Sequence, residues 1–426
     1  MAPKGKWTLL TYIAADNDLY SMGKRSYDQI IEVGSTAEIR HGVLFDWPAG
    51  AARYIAGKPG LVQQQEQLGD YDSADPERLI ETARWVFERC PAERYGLILW
   101  SHGTGWAPKV IEEVARRARS GGGVEAAEST DRAAMPGSRA FFRTTLAEML
   151  KPDHPTERAI LFDDGTGHAL DTLQLDRVTG EIGKRINQKL DFIGMDACLM
   201  ASVEVAYQLR KNVACMVASE ELVPGQSWPY DLIFNKLAAN FEMTPRELSN
   251  LIVREYVGYY AQHQPAFGAG DITKIALDLS RTEDLVGSMR GLAESLIARM
   301  KDALPFLEKS QTDAFLKETR DEDRRASKFN YHLWDIVSVC RNLNQAGGVD
   351  QVQAAAGQVL KAFEQSGLVV RSGHLGEWFE GIGGLSAYWI PPKKGRPRHI
   401  SRYYPQLDFA RDASWARMLE AYRYGS

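Results

Sequence analysis

The chain has 426 residues, of which 44% are hydrophobic and 25% charged, and its formal net charge is −5. This is the composition of an ordinary globular protein, and its slight excess of acidic residues gives no reason to expect nucleic acid or an anionic membrane as a partner. No apolar run approaches the roughly 18 to 20 residues that a membrane-spanning helix needs.

The first residues alternate short apolar runs with helical periodicity. We predict a strand over 7–14, a helix over 19–33 and a strand over 42–46, then a hairpin tip over 50–60 and a helix over 76–89 that starts at Asp75-Pro76. The apolar run at the N-terminus is short and leads straight into acidic residues, which favours a strand over a signal peptide. We therefore expect a cytoplasmic protein, or a secreted one if a leader has been removed.

The middle of the chain contains three further apolar strands, predicted over 95–101, 192–196 and 213–219, with a helix over 200–209. Continuous apolar strands that alternate with amphipathic helices indicate an α/β fold with a mostly parallel sheet sandwiched between helices. The pattern after residue 235 is mainly helical, over 245–260, 283–304 and 350–365, with strand-like runs at 275–279 and 384–390. We predict a core over 1–235 and a mainly helical region over 236–426 that packs on the core and adds strands to it.

Two predicted strand ends carry residues with reactive side chains. His102 and Gly103 follow one buried strand, and Asp196 and Cys198 stand at the end of another. Functional sites of parallel sheets form beyond the carboxyl ends of the strands. We therefore expect His102 and Cys198 to meet at one edge, although they are far apart in the sequence.

A cysteine with a histidine nearby is the arrangement that thiol attack on a carbonyl requires. The predicted helix over 200–209 would place Cys198 near a helix N-terminus, where free N–H groups favour a thiolate. The N–H groups of Gly103 and Cys198 could form an oxyanion hole. The other cysteines have no CxxC spacing and are interpreted as buried hydrophobic residues, so we expect neither a disulfide framework nor structural zinc.

These motifs resemble the clostripain family of cysteine peptidases (C11), which has a caspase-like α/β fold. The resemblance rests on residues 10–19 (LTYIAADNDL), 100–106 (WSHGTGW), 196–200 (DACLM), 218–221 (ASEE) and 224–230 (PGQSWPY), with a weaker similarity at 383–388 (GGLSAY) and in the tail near Trp415. It spans nearly the whole chain, is strongest before residue 231 and is absent from much of the segment between the two motifs.

The resemblance implies a catalytic dyad of His102 and Cys198 and a preference for Arg or Lys before the cleaved bond, the P1 position. It also implies that Asp196 lines the S1 pocket, which receives the P1 side chain. Residues i and i+2 of a strand share a face, so Asp196 and Cys198 can point into one cleft. Two further residues, Ser219 and Glu220, could form the opposite wall of the pocket. Asp196 could instead be a structural acid that caps the following turn, and Glu220 or Glu221 could be the main specificity determinant.

The long segment over 107–158 is predicted to be an activation loop. Family members are commonly zymogens that are cleaved between the two motifs, and this segment offers Arg116, Arg117 and Arg119 beside a glycine tract. Cleavage by the enzyme itself or by an activating protease would let the loop leave the S1 entrance. Lys109, Arg132, Arg139 and Arg143 are alternative cleavage sites, and a solvated loop without a processing role is the other interpretation.

No cofactor is required by the predicted chemistry. Some members of the family depend on calcium, and Asp16 and Asp18 are weak candidate ligands without EF-hand spacing. The expected partners are protein or peptide substrates with a basic P1 residue. Three other functions stay open: a catalytically silent caspase-like interaction scaffold, a nucleotide-binding domain suggested by the glycines after His102, and acyl transfer such as transpeptidation.

Overall fold

The computed structural model describes residues 4–17, 19–103, 160–163, 168–267, 272–318, 333–389, 400 and 403–424. The predicted activation loop, with Arg116, Arg117 and Arg119 and the alternative cleavage sites, lies outside these residues, as does Asp18.

The described residues form strands in both halves of the chain. The strands are β1 Gly5–Ala14, β2 Ile39–Trp47, β3 Gly50–Ala56, β4 Val62–Gly69, β5 Ala92–Trp100, β6 Ile160–Asp163, β7 His168–Leu170, β8 Leu190–Asp196, β9 Val213–Ala218, β10 Ile272–Asp278, β11 Leu333–Asp335, β12 Val369–Leu375 and β13 Ser386–Tyr388.

Helices connect most of these strands. The α-helices are α1 Tyr20–Val33, α2 Pro76–Arg89, α3 Thr172–Ile186, α4 Val203–Leu209, α5 Tyr230–Ala239, α6 Pro245–Phe267, α7 Thr282–Ala298, α8 Met300–Glu318, α9 Ile336–Gln345, α10 Asp350–Gln365, α11 Asp408–Asp412 and α12 Trp415–Tyr424. None of those within the described ranges is long and apolar enough to cross a membrane.

A large sheet with the strand order β12-β10-β9-β8-β5-β1-β2-β3-β4 forms the centre of the described residues. Its central strands, from β9 to β2, run parallel, and the strands at both edges are antiparallel. Two of these strands, β10 and β12, come from the second half of the chain. The prediction of an α/β fold with a mostly parallel sheet between helices is confirmed.

The central strands form where the apolar runs predict them, because a parallel strand covered by helices is buried on both faces. β1 is buried along almost its whole length, and so is β5 after its first residues. The predicted start of α2 is also confirmed, since the Asp75 side chain accepts a hydrogen bond from the Glu77 N–H and Pro76 occupies the first helical turn.

Three local predictions differ from the structure in part. The stretch over 50–60 is a hairpin tip only at its end: residues 50–56 form the buried strand β3, which pairs with β2 and β4 on its two sides, and residues 57–60 lie in the turn between β3 and β4. The helix over 283–304 is two helices, α7 and α8, separated at Arg299. The run at 384–390 contributes β13, which pairs with β11 in a separate sheet.

Candidate active site

The two motifs of interest lie side by side at one edge of the sheet. β5 and β8 are parallel neighbours, and Trp100 pairs with Asp196. The Ser101 N–H continues this pairing by donating to the Asp196 carbonyl at 3.4 Å. His102 and Cys198 each follow this matched pair by two residues, and both are buried, at 4% and 3% exposed. The register therefore brings the two side chains to the same edge.

The main chain after His102 is in direct contact with the Cys198 turn. A methyl group on Gly103 would lie 2.5 Å from the Cys198 carbonyl oxygen and 3.0 Å from the Ala197 Cβ. The first distance is shorter than real Cβ contacts and the second is unusually tight, so a larger residue would require a shift of the backbone. Gly103 also forms an isolated antiparallel bridge with Ile160. The absence of a side chain at this position thus allows the two loops to touch.

Cys198 lies in a turn that is fixed by the strand next to it. Leu199 has a positive φ of 62°. Its N–H donates to the Glu221 carbonyl at 3.2 Å, and the Ala201 N–H donates to the Ser219 carbonyl at 2.9 Å. The predicted helix over 200–209 begins only at Val203, with Ser202 as its N-cap. Cys198 is therefore in a tight turn that precedes the helix N-cap, and not at the helix N-terminus as predicted.

The environment of the Cys198 thiol favours the protonated form. Burial is the largest cause and raises the pKa of Cys198 to about 12, and the nearby charges of Asp196 and Glu221 act in the same direction. The Val223 N–H donates to Sγ at 3.3 Å, and this contact and the Lys274 charge lower the pKa. In this form the thiol holds its proton at neutral pH.

The Asp196 carboxylate has one committed oxygen and one oxygen without a hydrogen bond. Oδ2 accepts from the Ser227 hydroxyl, from the Trp228 N–H at 3.1 Å and from the Tyr230 hydroxyl at 2.9 Å. Oδ1 is buried and has no hydrogen-bond partner among the described residues. Desolvation raises the pKa of Asp196, whereas the Lys274 charge and these donors lower it. Convergence of three donors on one oxygen favours the ionised carboxylate.

The turn after β9 is fastened to β10 through Thr273. The Ser219 hydroxyl donates to the Thr273 carbonyl at 2.8 Å, and the Glu220 and Glu221 N–H groups both donate to Thr273 Oγ1 at 3.1 Å. The side chains of all three residues are buried. Ser219 and Glu220 thus lie near the site as predicted, but the Ser219 hydroxyl is already engaged with a neighbouring strand.

The structure brings several predicted residues to one edge of the sheet: His102, Gly103, Asp196, Cys198, Ser219 and Glu220. Their individual roles stay predictions. Asp16 is elsewhere on this edge, beyond β1, in a cavity of about 220 Å³ that Asp46 and Asp70 also line. No group of three or more His, Cys, Asp or Glu among the described residues could hold a metal ion. The calcium hypothesis also stays a prediction.

The residues that surround Asp196 and Cys198 carry little signal of their contacts in the sequence. Ser227, Trp228 and Tyr230 stand in the quoted motif at 224–230, but nothing in the motif indicates which atom they contact. Val223 acts through its backbone, which leaves no trace in the sequence. Lys274 had a usable signal, because it is a lone charge beside the apolar run at 275–279, yet the predicted strand began just after it.

Comparisons with known proteins agree with this geometry. A model of the clostripain family of C11 peptidases matches residues 148–422. Clostripain from Hathewaya histolytica is 24% identical over 307 residues, which are 63% of this chain and 55% of clostripain. The chain therefore aligns with little more than half the length of that relative.

Two solved structures have the same fold over almost all of this chain. A secreted C11 cysteine protease from Bacteroides thetaiotaomicron, in complex with an irreversible peptide inhibitor, aligns with a TM-score of 0.62 at 17% identity, covering 96% of this chain and 99% of that one. An inactive zymogen C11 protease from Parabacteroides distasonis aligns with a TM-score of 0.59 at 18% identity, covering 97% and 99%. The family model matches more than half of the chain, and the histidine and cysteine motifs lie together at the sheet edge: this chain belongs to the clostripain family.

Proposed function

We propose that this protein is a cysteine endopeptidase that cleaves after Arg or Lys, with Cys198 as nucleophile and His102 as general base. The observation that carries the proposal is the contact of Gly103 with the Cys198 turn, at the matched ends of β5 and β8. Family membership supports the reaction class. The substrates are proteins or peptides with a basic P1 residue.

The reaction begins with transfer of the Cys198 proton to His102. The thiolate then adds to the carbonyl carbon of the scissile peptide, and the Gly103 and Cys198 N–H groups stabilise the oxyanion that forms. Collapse of this intermediate breaks the C–N bond, and His102 returns the proton to the leaving amine. A water molecule, deprotonated by His102, hydrolyses the thioester and regenerates the thiol.

Asp196 is the proposed S1 residue. Its Oδ2 is occupied by three donors, so Oδ1 is the oxygen available to a substrate cation. This favours a contact with one carboxylate oxygen, which serves an ammonium as well as a guanidinium, over a bidentate pair. Glu220 is a second acidic group near this edge.

The buried state of the dyad supports a latent form. Both His102 and Cys198 have almost no exposed surface, and the thiol is protonated at neutral pH. We infer that cleavage near Arg116, Arg117 and Arg119, by the enzyme itself or by an activating protease, opens the site. The cytoplasmic location stays a prediction, while the Bacteroides thetaiotaomicron relative is secreted.

The test compares the wild-type protein with Cys198→Ala on matched peptides that carry Arg, Lys or Asp at P1. We expect turnover of the Arg and Lys peptides by the wild type and a loss of at least about 10³-fold in the variant, since the nucleophile is gone. Intact mass is followed in parallel, and self-processing predicts a break near residues 116–119 in the wild type alone.

The outcomes separate the parts of the proposal. Equal activity of the wild type and Cys198→Ala would eliminate the dyad. Cleavage only of the Asp peptide would spare the dyad and eliminate the S1 assignment. Processing that occurs in Cys198→Ala only after addition of wild-type enzyme or another protease identifies activation in trans.

A further inference from the structure

Lys274 is a buried lysine near the start of β10, the strand that pairs with β9. Its side chain is 1% exposed, and its Nζ has no hydrogen-bond partner among the described residues. The ammonium lies 4.1 Å from the centre of the Tyr256 ring and 5.1 Å from the centre of the Trp228 ring. Burial lowers the pKa of Lys274 to about 8, so the group is still mainly charged at neutral pH. Such a charge is costly to bury unless neighbouring groups of opposite charge compensate it.

The compensating groups are acidic and belong to the site. Asp196 Oδ1 is the buried carboxylate oxygen without a hydrogen bond among the described residues. Trp228, whose ring packs on Lys274, donates its backbone N–H to the other oxygen of the same carboxylate. Burial lowers the pKa of Lys274. The negative charges of Asp196 and of ionised Cys198 attract the ammonium and therefore raise its pKa. Lys274 therefore interacts with both the acid and the thiol that define the site.

We propose that Lys274 is a positioning residue for the nucleophile: its buried ammonium balances the Asp196 carboxylate and supplies the positive charge that favours the Cys198 thiolate. This role rests on the proposed function, in which Cys198 is the nucleophile. Lys274 reaches the site because β10 runs antiparallel to β9, which places the start of β10 at the edge where β8 and β9 end.

The other charges near Cys198 are acidic, so a positive charge is needed to favour its thiolate. Asp196 and Glu221 both disfavour the thiolate, and Lys274 acts in the opposite direction. The titratable and charged groups around Lys274 and Cys198 are Asp196 at the end of β8, His102 after β5, Glu220 and Glu221 after β9, Tyr230 on α5, and Tyr256 and Tyr260 on α6. With Lys274 removed, the thiolate would form beside the acidic groups Asp196 and Glu221, and the Val223 N–H would remain as a described group that lowers the pKa of Cys198.

The test measures alkylation of Cys198 by iodoacetamide between pH 5 and 10, quantified on the peptide that contains this cysteine. Alkylation reports the thiolate and does not require peptidase activity, so the result is independent of whether Arg peptides are cleaved. For Lys274→Met we expect an alkylation rate at pH 7 at least about tenfold below that of the wild type. This is equivalent to a shift of the whole rate–pH profile by about one unit towards higher pH. Lys274→Arg keeps the charge and is expected to stay within about threefold of the wild type.

A double variant tests the balance of charges. Asp196→Asn with Lys274→Met removes both charges, and we expect it to react faster at pH 7 than Lys274→Met alone because the thiolate no longer faces the carboxylate. If Lys274→Met does not fold, the comparison of Asp196→Asn with the double variant decides the question, since the double variant then lacks only the cation.

Lys236→Met is the matched control. Lys236 forms a half-exposed ion pair with Glu255 at 2.7 Å, on the helix that carries Tyr256, and its loss is expected to leave the alkylation profile unchanged. A folded Lys274→Met protein with the wild-type profile would overturn the proposal. So would a Lys274→Arg protein as slow as Lys274→Met, because shape rather than charge would then be the cause.

Discussion

At the scale of single residues, Ser227 connects the sheet edge to the proposed S1 acid. Its hydroxyl accepts a hydrogen bond from the Trp100 indole N–H at 2.7 Å and donates to Asp196 Oδ2. Its carbonyl accepts from the Tyr260 hydroxyl at 2.8 Å, and its φ is +64°. One small side chain thus accepts the hydrogen bond of a buried indole N–H and holds a buried carboxylate in place.

Ser227→Ala should destabilise the protein and weaken the site. The Trp100 N–H would be buried without its acceptor and Asp196 would lose a donor, so we expect the free energy of unfolding to fall by about 1–3 kcal/mol. KM for an Arg peptide should rise as Asp196 loses its fixed orientation. Chemical denaturation and steady-state kinetics measure the two effects.

Ser310→Ala is the control for this change. The Ser310 hydroxyl is buried in α8 and has no hydrogen-bond partner among the described residues. Its removal should therefore leave the free energy of unfolding within about 0.5 kcal/mol of the wild type, without loss of activity. Equal effects of the two substitutions would contradict the importance of the Ser227 network.

At the scale of elements, the site depends on the close approach of the loops after β5 and β8. The Cys198 turn is held from the other side by the turn after β9, through the Leu199 and Ala201 N–H groups. Cys198, the proposed nucleophile, is thus held by its neighbours on both sides rather than by a helix of its own. A shift in either neighbouring loop would move the thiol.

Gly103→Ala should disturb this contact. Its methyl group would meet the Cys198 carbonyl oxygen at 2.5 Å, so the loops must separate. We expect a loss of about 1–3 kcal/mol in the free energy of unfolding, typical of overpacking, together with at least a tenfold loss in kcat/KM. Thermal unfolding and peptide hydrolysis provide the readouts.

Gly291→Ala is the corresponding control on α7. A methyl group there would have no heavy atom within 4 Å, and glycine is unfavourable inside a helix. We expect a gain of about 0.5–1 kcal/mol in stability with unchanged activity. If Gly103→Ala behaved like Gly291→Ala, the proposed contact between the loops would be wrong.

At the scale of the whole molecule, residues near the C-terminus hold the segment that follows Cys198. The Ser386 N–H donates to the Ala201 carbonyl at 2.9 Å. The Glu204 carboxylate, buried on α4, accepts from the Tyr388 N–H and from the Tyr404 hydroxyl, both at 2.9 Å. The end of the chain is therefore part of the support for the site.

Glu204 makes this support dependent on pH. Burial raises its pKa from 4.5 to about 7, so between these values the folded protein holds a proton that the unfolded chain has released. Folding stability should consequently fall as pH rises through this window, by about 3 kcal/mol in total.

Glu204→Gln should remove this dependence. The amide oxygen can accept the same two hydrogen bonds, and no charge forms. We expect the variant to exceed the wild type in free energy of unfolding by up to about 3 kcal/mol at pH 8, and the difference to shrink towards pH 5. Urea denaturation at both pH values checks this, and a constant difference would contradict the assignment to Glu204.

The central strands could be predicted because burial on both faces produces continuous apolar runs. The edge strands β4 and β12 were missed for the opposite reason. β4 has the sequence VQQQEQLG and is almost entirely exposed, so it has no apolar pattern to detect. β12 is likewise exposed or half-buried and contains Arg371 and Ser372. Edge pairing is decided by the neighbouring strand rather than by the residues themselves.

The sequence by itself determined which strand ends carry the candidate residues, because His102-Gly103 and Asp196-Ala197-Cys198 each follow an apolar run of the length and continuity typical of a strand covered on both faces. Only the tertiary structure decided the electrostatics of that edge. Burial raises the pKa of both Cys198 and Asp196, and the neighbouring donors and charges oppose it: Val223 and Lys274 at Cys198, and Ser227, Tyr230 and Lys274 at Asp196. These groups reach the site through the turn after β9, α5 and the antiparallel pairing of β10, which the sequence does not reveal.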